Sequence, residues 1–170
     1  MKKIFFMFDL VVAVCFCFAL DPAEGYWLGV DSKTGAINAV WQMYQSGDKL
    51  LGKLLFSPVV PPEQIALKCK DTYKGFPVVG AVNKMKVIGT PWIFGLIMDK
   101  PGQWIRGNVI DPEHGSMYQC KITFRPADGK RFAHDTLEMR GELLPGIGAS
   151  IFMQRISSEE ALALQNSNAH

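Results

Sequence analysis

Charge of either sign is scarce in this chain of 170 residues: 20% are charged and the formal net charge is +2. Together with a 48% hydrophobic content, this excludes a disordered chain or a coiled coil. The missing basic excess removes the usual footprint of a nucleic-acid-binding protein, so no nucleic-acid partner is expected. Cysteine is limited to Cys15, Cys17, Cys69 and Cys120. His114, His134 and His170 show no ligand spacing around them, so neither a metal nor a cofactor is expected. Catalytic signatures are missing too, with no G-x-S-x-G, no H-E-x-x-H and no Gly-rich phosphate loop. His134-Asp135 pairs a base with a carboxylate, but adjacent strand residues point to opposite faces. Asp111 and Glu113 sit in an Asp-Pro turn, where carboxylates serve local hydrogen bonding. The expectation is a protein that is not an enzyme.

What is present begins with an export signal. Lys2 and Lys3 form a positive n-region, Ile4 to Phe18 an apolar h-region, and Cys17-Phe18-Ala19 a small-x-small cleavage site. Cutting after Ala19 leaves a chain starting at Leu20, with residues 1–19 as signal peptide. The alternatives are an uncleaved anchor or a lipid-modified Cys15. Against an anchor, the run is shorter than the roughly 20 apolar residues a span needs, and Asp9 interrupts it. Either alternative supplies the sole membrane contact expected. The protein is therefore placed outside the cytoplasm, in the periplasm or cell envelope. Export leaves Cys69 and Cys120, and two cysteines in an oxidising compartment suggest one disulfide, with a pair of small buried thiols as the competing reading.

From Gly25 onward, short β-like runs end in turn residues. The expected strands are Gly25–Asp31, Ile37–Gln45, Lys49–Phe56, Val78–Val87, Trp92–Asp99, Trp104–Ile110, Met117–Phe124, Thr136–Leu143 and Ala149–Ile156. Ser57-Pro58-Val59-Val60-Pro61-Pro62 cannot stay in a ladder, because proline has no N–H to donate, so an irregular excursion runs to about Phe76. Ser157-Ser158-Glu159-Glu160 is a capping box opening a short helix, followed by a polar tail to residue 170. About eight to nine antiparallel strands without long crossovers predict an all-β fold. Closure into an up-and-down barrel over 20–156 removes exposed edges, and a sandwich is the competitor.

Gly25-Tyr26-Trp27 opens the first strand and Arg155 lies in the last. This G-x-W with a late arginine resembles the lipocalin signature. The resemblance implies structural roles for Gly25, Trp27 and Arg155: the indole plugs the closed end of a barrel and the guanidinium lies over it. Residues 21 to 155 also resemble a domain-of-unknown-function family of uncharacterised exported bacterial proteins. The match runs through Asp21-Pro22, Asp31-x-x-Thr34-Gly35, Leu51-Gly52-Lys53, Lys68-Cys69-Lys70 and Pro77-Val78-Val79-Gly80. It continues in Trp104-x-x-Gly107-Asn108-x-Ile110-Asp111-Pro112-Glu113-x-Gly115-x-x-Tyr118-x-Cys120-Lys121 and Arg140-Gly141. This resemblance implies a small lipocalin-like barrel in the envelope and no established activity. The chain departs from the pattern in Ser150 to Arg155, where the usual tryptophan before the arginine is missing, and in the tail after Ser157.

An eight-stranded barrel has room for its own side chains or for one small ligand. Apolar residues occupy both alternating faces of several runs, more than a sheet with one wet face requires. The expected function is therefore binding or carriage of a small hydrophobic or amphipathic molecule, with Trp41, Tyr44, Phe94, Met98 and Tyr118 near the cargo. The alternative is a structural or interaction module with a filled barrel. Apolar outer faces also fit a homodimer interface or a covering helix.

Overall fold

The chain alternates strand and turn, and the computed structural model, which describes residues 20–31 and 33–167, closes those strands on themselves. The elements are β1 (Gly25–Val30), β2 (Ile37–Ser46), β3 (Lys49–Phe56), β4 (Ile93–Lys100), β5 (Gln103–Asp111), β6 (Ser116–Arg125), β7 (Thr136–Leu144), β8 (Ile147–Ile156) and α1 (Ser158–Ser167). Each strand pairs antiparallel with the next, and β8 returns to β1, which gives a closed eight-stranded barrel. The signal, anchor and lipidation readings of residues 1–19 lie outside the described residues.

Residues directly opposite in an antiparallel pair share a face, so the register defines the interior. Trp27 faces Trp41, and Trp41 faces Leu54. Met43 faces Gly52, Ile93 faces Val109, and Val109 faces Tyr118. Ile122 faces Met139, which faces Ile151. The outer face of β1–β3 carries Leu28, Val40, Leu55 and Phe56, which pack against Ala161 and Leu164 of α1. That helix starts as its capping box dictates: the Glu160 N–H donates to Ser157 Oγ at 3.1 Å, and the Ser157 N–H donates to Glu160 Oε2 at 2.8 Å.

Two local expectations are corrected. Val78–Val87 is no strand. It belongs to an excursion that runs from Ser57 to Trp92, held by a 3-10 turn at Val82–Lys84 and a single bridge between Ile65 and Lys86. The alternation expected for Trp92, Phe94, Leu96 and Met98 is broken at Gly95, whose φ of +71° only glycine adopts cheaply. Phe94 packs beneath the excursion against Phe76 at 5.3 Å, while Leu96 joins the barrel core. In β5 the register also shifts between Trp104 and Gly107, where Arg106 holds a left-handed φ of +61°.

Candidate functional site

The barrel has two unlike ends. At the end where β1 begins, the segment before it folds across the opening. Asp21 is buried and accepts from Trp104 Nε1 at 2.9 Å, the Gly102 N–H at 2.8 Å and the Ala23 N–H at 2.9 Å. Trp27 is fully buried and donates its Nε1–H to the Ala23 carbonyl at 3.0 Å. The Arg155 guanidinium lies 4.2 Å from the Trp27 ring centre and 5.5 Å from that of Phe124, and donates to the Pro22 and Glu24 carbonyls. Burial pulls the Arg155 pKa down, and Asp135 at 3.6 Å opposes that shift. Met43, Leu50, Leu96, Ile122, Leu137 and Met153 fill the space behind this plug, so this half of the barrel is solid.

The other end is divided. On the β3–β5 side, Trp92, Phe76, Val82, Val87, Ala66 and Cys69 of the excursion pack across it. The excursion presses on the β5–β6 turn so closely that a side chain at Gly115 would collide with the Lys68 carbonyl. On the β5–β8 side the interior is hollow, because its inward positions carry small residues. Gly141 faces Cys120 on one neighbour and Ala149 on the other. A Cβ placed on Gly141 would lie 3.8 Å from Tyr118 Cβ and 3.9 Å from Val109 Cγ1, ordinary contact with room beyond it. The result is an apolar pocket of about 500 Å³ lined by Val109, Tyr118, Met139, Gly141, Leu143, Ile147, Gly148, Ala149 and Ile151. The Tyr118 hydroxyl is the one polar side-chain group in that lining. A second hollow of about 510 Å³ shares Ile151 and reaches Trp41, Ala39, Asn38 and Asp31, so its wall is more polar.

Of the five residues expected near a cargo, Tyr118 lines the apolar pocket and Trp41 the neighbouring hollow. The other three line neither. Tyr44 stands opposite Leu51 and packs under the excursion, with Lys53 Nζ 5.6 Å from its ring. Phe94 is covered by Phe76, and Met98 sits near the plugged rim opposite Trp104, 44% exposed. Gly25, Trp27 and Arg155 meet at the plug: a side chain on Gly25 would strike Arg155. The lining residues missed from the sequence alternate along Met139-x-Gly141-x-Leu143 and Ile147-x-Ala149-x-Ile151. Small residues within an apolar alternation were the available signal.

The expected Cys69–Cys120 disulfide is not formed; both cysteines are free and buried. Cys120 takes the inward face with Ile122 and sits in the barrel core, whereas Cys69 belongs to the cluster under the excursion and donates to the Pro112 carbonyl at 4.0 Å. Burial pushes the Cys120 thiol up to about 12 and raises Cys69 as well, so both remain protonated near neutrality. No group of three His, Cys, Asp or Glu residues suited to a metal occurs among the described residues.

The plug, the closed eight-strand topology and the hollow beside it define a lipocalin-like barrel. In keeping with this, the structure resembles a solved protein, HP1028 from Helicobacter pylori, described as belonging to the lipocalin family. The TM-score is 0.63 at 12% sequence identity, over 84% of this chain and 88% of that one. By sequence, residues 25–155 match the model of a family described as uncharacterised proteins conserved in bacteria, DUF2147. The chain belongs to that family. No curated protein matches it.

Proposed function

We propose that the protein binds a small hydrophobic or amphipathic molecule, without turning it over, in the pocket between β5 and β8, and that it does so as an exported protein of the periplasm or cell envelope. The observation that carries this reading is the hollow of about 500 Å³ bounded by Val109, Met139, Ile147, Ala149 and Ile151. A soluble protein gains nothing in stability from leaving such a wall unfilled, since unfilled apolar space forfeits packing contacts. Its volume falls within the range of pockets that hold small ligands, and an apolar wall with one hydroxyl suits an apolar body bearing a single hydrogen-bonding group. The solid half of the barrel limits the depth of entry, so the ligand is short or leaves its polar end at the mouth.

The test is titration of delipidated protein with a fluorescent fatty-acid analogue, read by probe emission. Saturable binding is expected, and Ala149→Trp, which fills the pocket from an inward position, should remove it while leaving the fold intact by far-ultraviolet circular dichroism. Absence of saturable binding by apolar probes in the unsubstituted protein would favour the second reading, a structural or interaction module. That reading is supported by the exposed apolar tip of the β7–β8 hairpin, where Leu143, Leu144 and Ile147 are 66%, 57% and 62% exposed.

A further inference from the structure

The exposed apolar side chains are unevenly placed. Three of them occupy the β7–β8 tip just described, at the open end of the barrel. Its neighbour in the wall, β6, carries Met117, 40% exposed, as its second residue there. Beyond the β5–β6 turn, the edge of the excursion adds Leu67, 78% exposed. The three segments follow one arc of the open end, since β6 pairs with β7 and the Lys68 carbonyl abuts Gly115 in the β5–β6 turn. The excursion edge is locked to the turn by the Tyr73 hydroxyl, which donates to the Gly115 carbonyl at 2.8 Å and accepts from the Lys70 N–H at 3.0 Å. Water meets this apolar arc at the mouth of the pocket.

Charge decides what covers it. Lys68, Lys70 and Lys74 stand on the same edge, and none of them forms an ion pair among the described residues. Two of the acids nearby are engaged. Asp111 pairs with His114 at 2.7 Å, and Glu142 is held between Lys121 at 3.1 Å and Arg140 at 2.8 Å. Glu113 on the turn and Asp71 between those lysines carry no ion pair among the described residues, so the lysines keep a small positive excess. Apolar side chains with unpaired lysines around them match an anionic lipid surface, where apolar residues enter the headgroup boundary and lysines meet the phosphates. A second copy of this chain would bring the same lysines face to face.

We propose that this arc docks on a bilayer carrying anionic headgroups, so that the pocket mouth faces the membrane. The contact is separate from anything residues 1–19 do, and it goes beyond the binding reading, since docking is measurable with the pocket empty. The test uses the full chain with vesicles of phosphatidylethanolamine and phosphatidylglycerol. The reporter variant is Leu144→Trp, whose tip fluorescence is quenched by brominated lipid only where the tip enters the bilayer. Quenching above that of the unsubstituted protein is expected with anionic vesicles, and it should weaken as salt rises. Lys70→Gln and Lys74→Gln, made in that background, should each lower the lipid affinity read from quenching by about fivefold. Probe binding in solution should persist in all these variants, because none of the three positions lines the pocket, so failure of docking and failure of the pocket reading remain distinguishable. The proposal is overturned if Leu144→Trp shows no added quenching, if quenching is equal on purely zwitterionic vesicles, or if sedimentation equilibrium shows a dimer that Leu144→Glu dissolves.

Discussion

The two ends of this barrel use similar side chains for opposite purposes. At the plugged end, Trp27, Trp104 and Phe124 are locked by hydrogen bonds and by the Arg155 guanidinium, and both buried indole N–H groups have an acceptor. At the open end, Tyr118, Leu143 and Ile147 surround space and touch solvent. The difference lies in what stands opposite them. Large residues face large residues near the plug, whereas Gly141 and Ala149 stand where the open end would need bulk to be filled. Stability is concentrated in one half, and the other half is left hollow.

The sharpest way to break this contrast is to cut into both halves. Trp27→Ala removes a fully buried indole, its hydrogen bond and its cation–π partner. It should cost about 3–5 kcal/mol of unfolding free energy in urea denaturation. Tyr118→Ala, beside existing space, should cost about 1 kcal/mol. Equal losses would mean that the open end is as much a core as the plug.

A smaller effect is expected at Asp21. Asp21→Ala strands the Trp104 Nε1–H and the Gly102 and Ala23 N–H groups, so about 2–3 kcal/mol should be lost, and Asp21→Asn should recover part of it. The smallest effect concerns Glu142 on the outer wall. Arg140 first and Lys121 second hold its carboxyl below the ordinary carboxylate range. Its folded pKa is depressed, so its contribution is complete above about pH 4.3 and fades as pH falls toward the folded value. Melting curves between about pH 3 and 6 should show a shallower acid limb for Glu142→Gln, with the Trp27→Ala deficit unchanged across that window. A deficit that varied with pH would tie the two regions together.

Most of the barrel was legible because its strands are separated by turn chemistry that acts locally. Gly47-Asp48, Pro101-Gly102 and Gly115 end strands through their own backbone preferences, and the capping box at Ser157 works within four residues. Gly25, Trp27 and Arg155 were legible as a motif because their contact is built into the fold. The excursion was not, since Val78–Val87 has strand-like composition but finds only a single bridge, from Lys86 to Ile65. Its partners are Phe94 and Ile110 on the barrel, chosen by tertiary packing. The pocket was half legible: large residues announce themselves, whereas a hollow is made by Gly141 and Ala149. The phase of Phe94 and Met98 was lost to one bulge at Gly95, as any period-2 argument is when a residue is inserted.

The seam between β1 and β8 has a kinetic consequence. Arg155 donates to the Glu24 carbonyl 131 positions earlier in the chain, and the β1–β8 ladder, from Tyr26–Ile156 to Gly29–Met153, joins residues almost as far apart. Neighbouring hairpins can form as they emerge, but closure waits for the last strand. Until then β1 presents an unpaired edge and Trp27 lacks its lid. Refolding should accordingly be slow, in the millisecond-to-second range of all-β topologies, with closure of the seam as the late event. A chain cut before Ser150 would keep two open edges and should aggregate rather than fold.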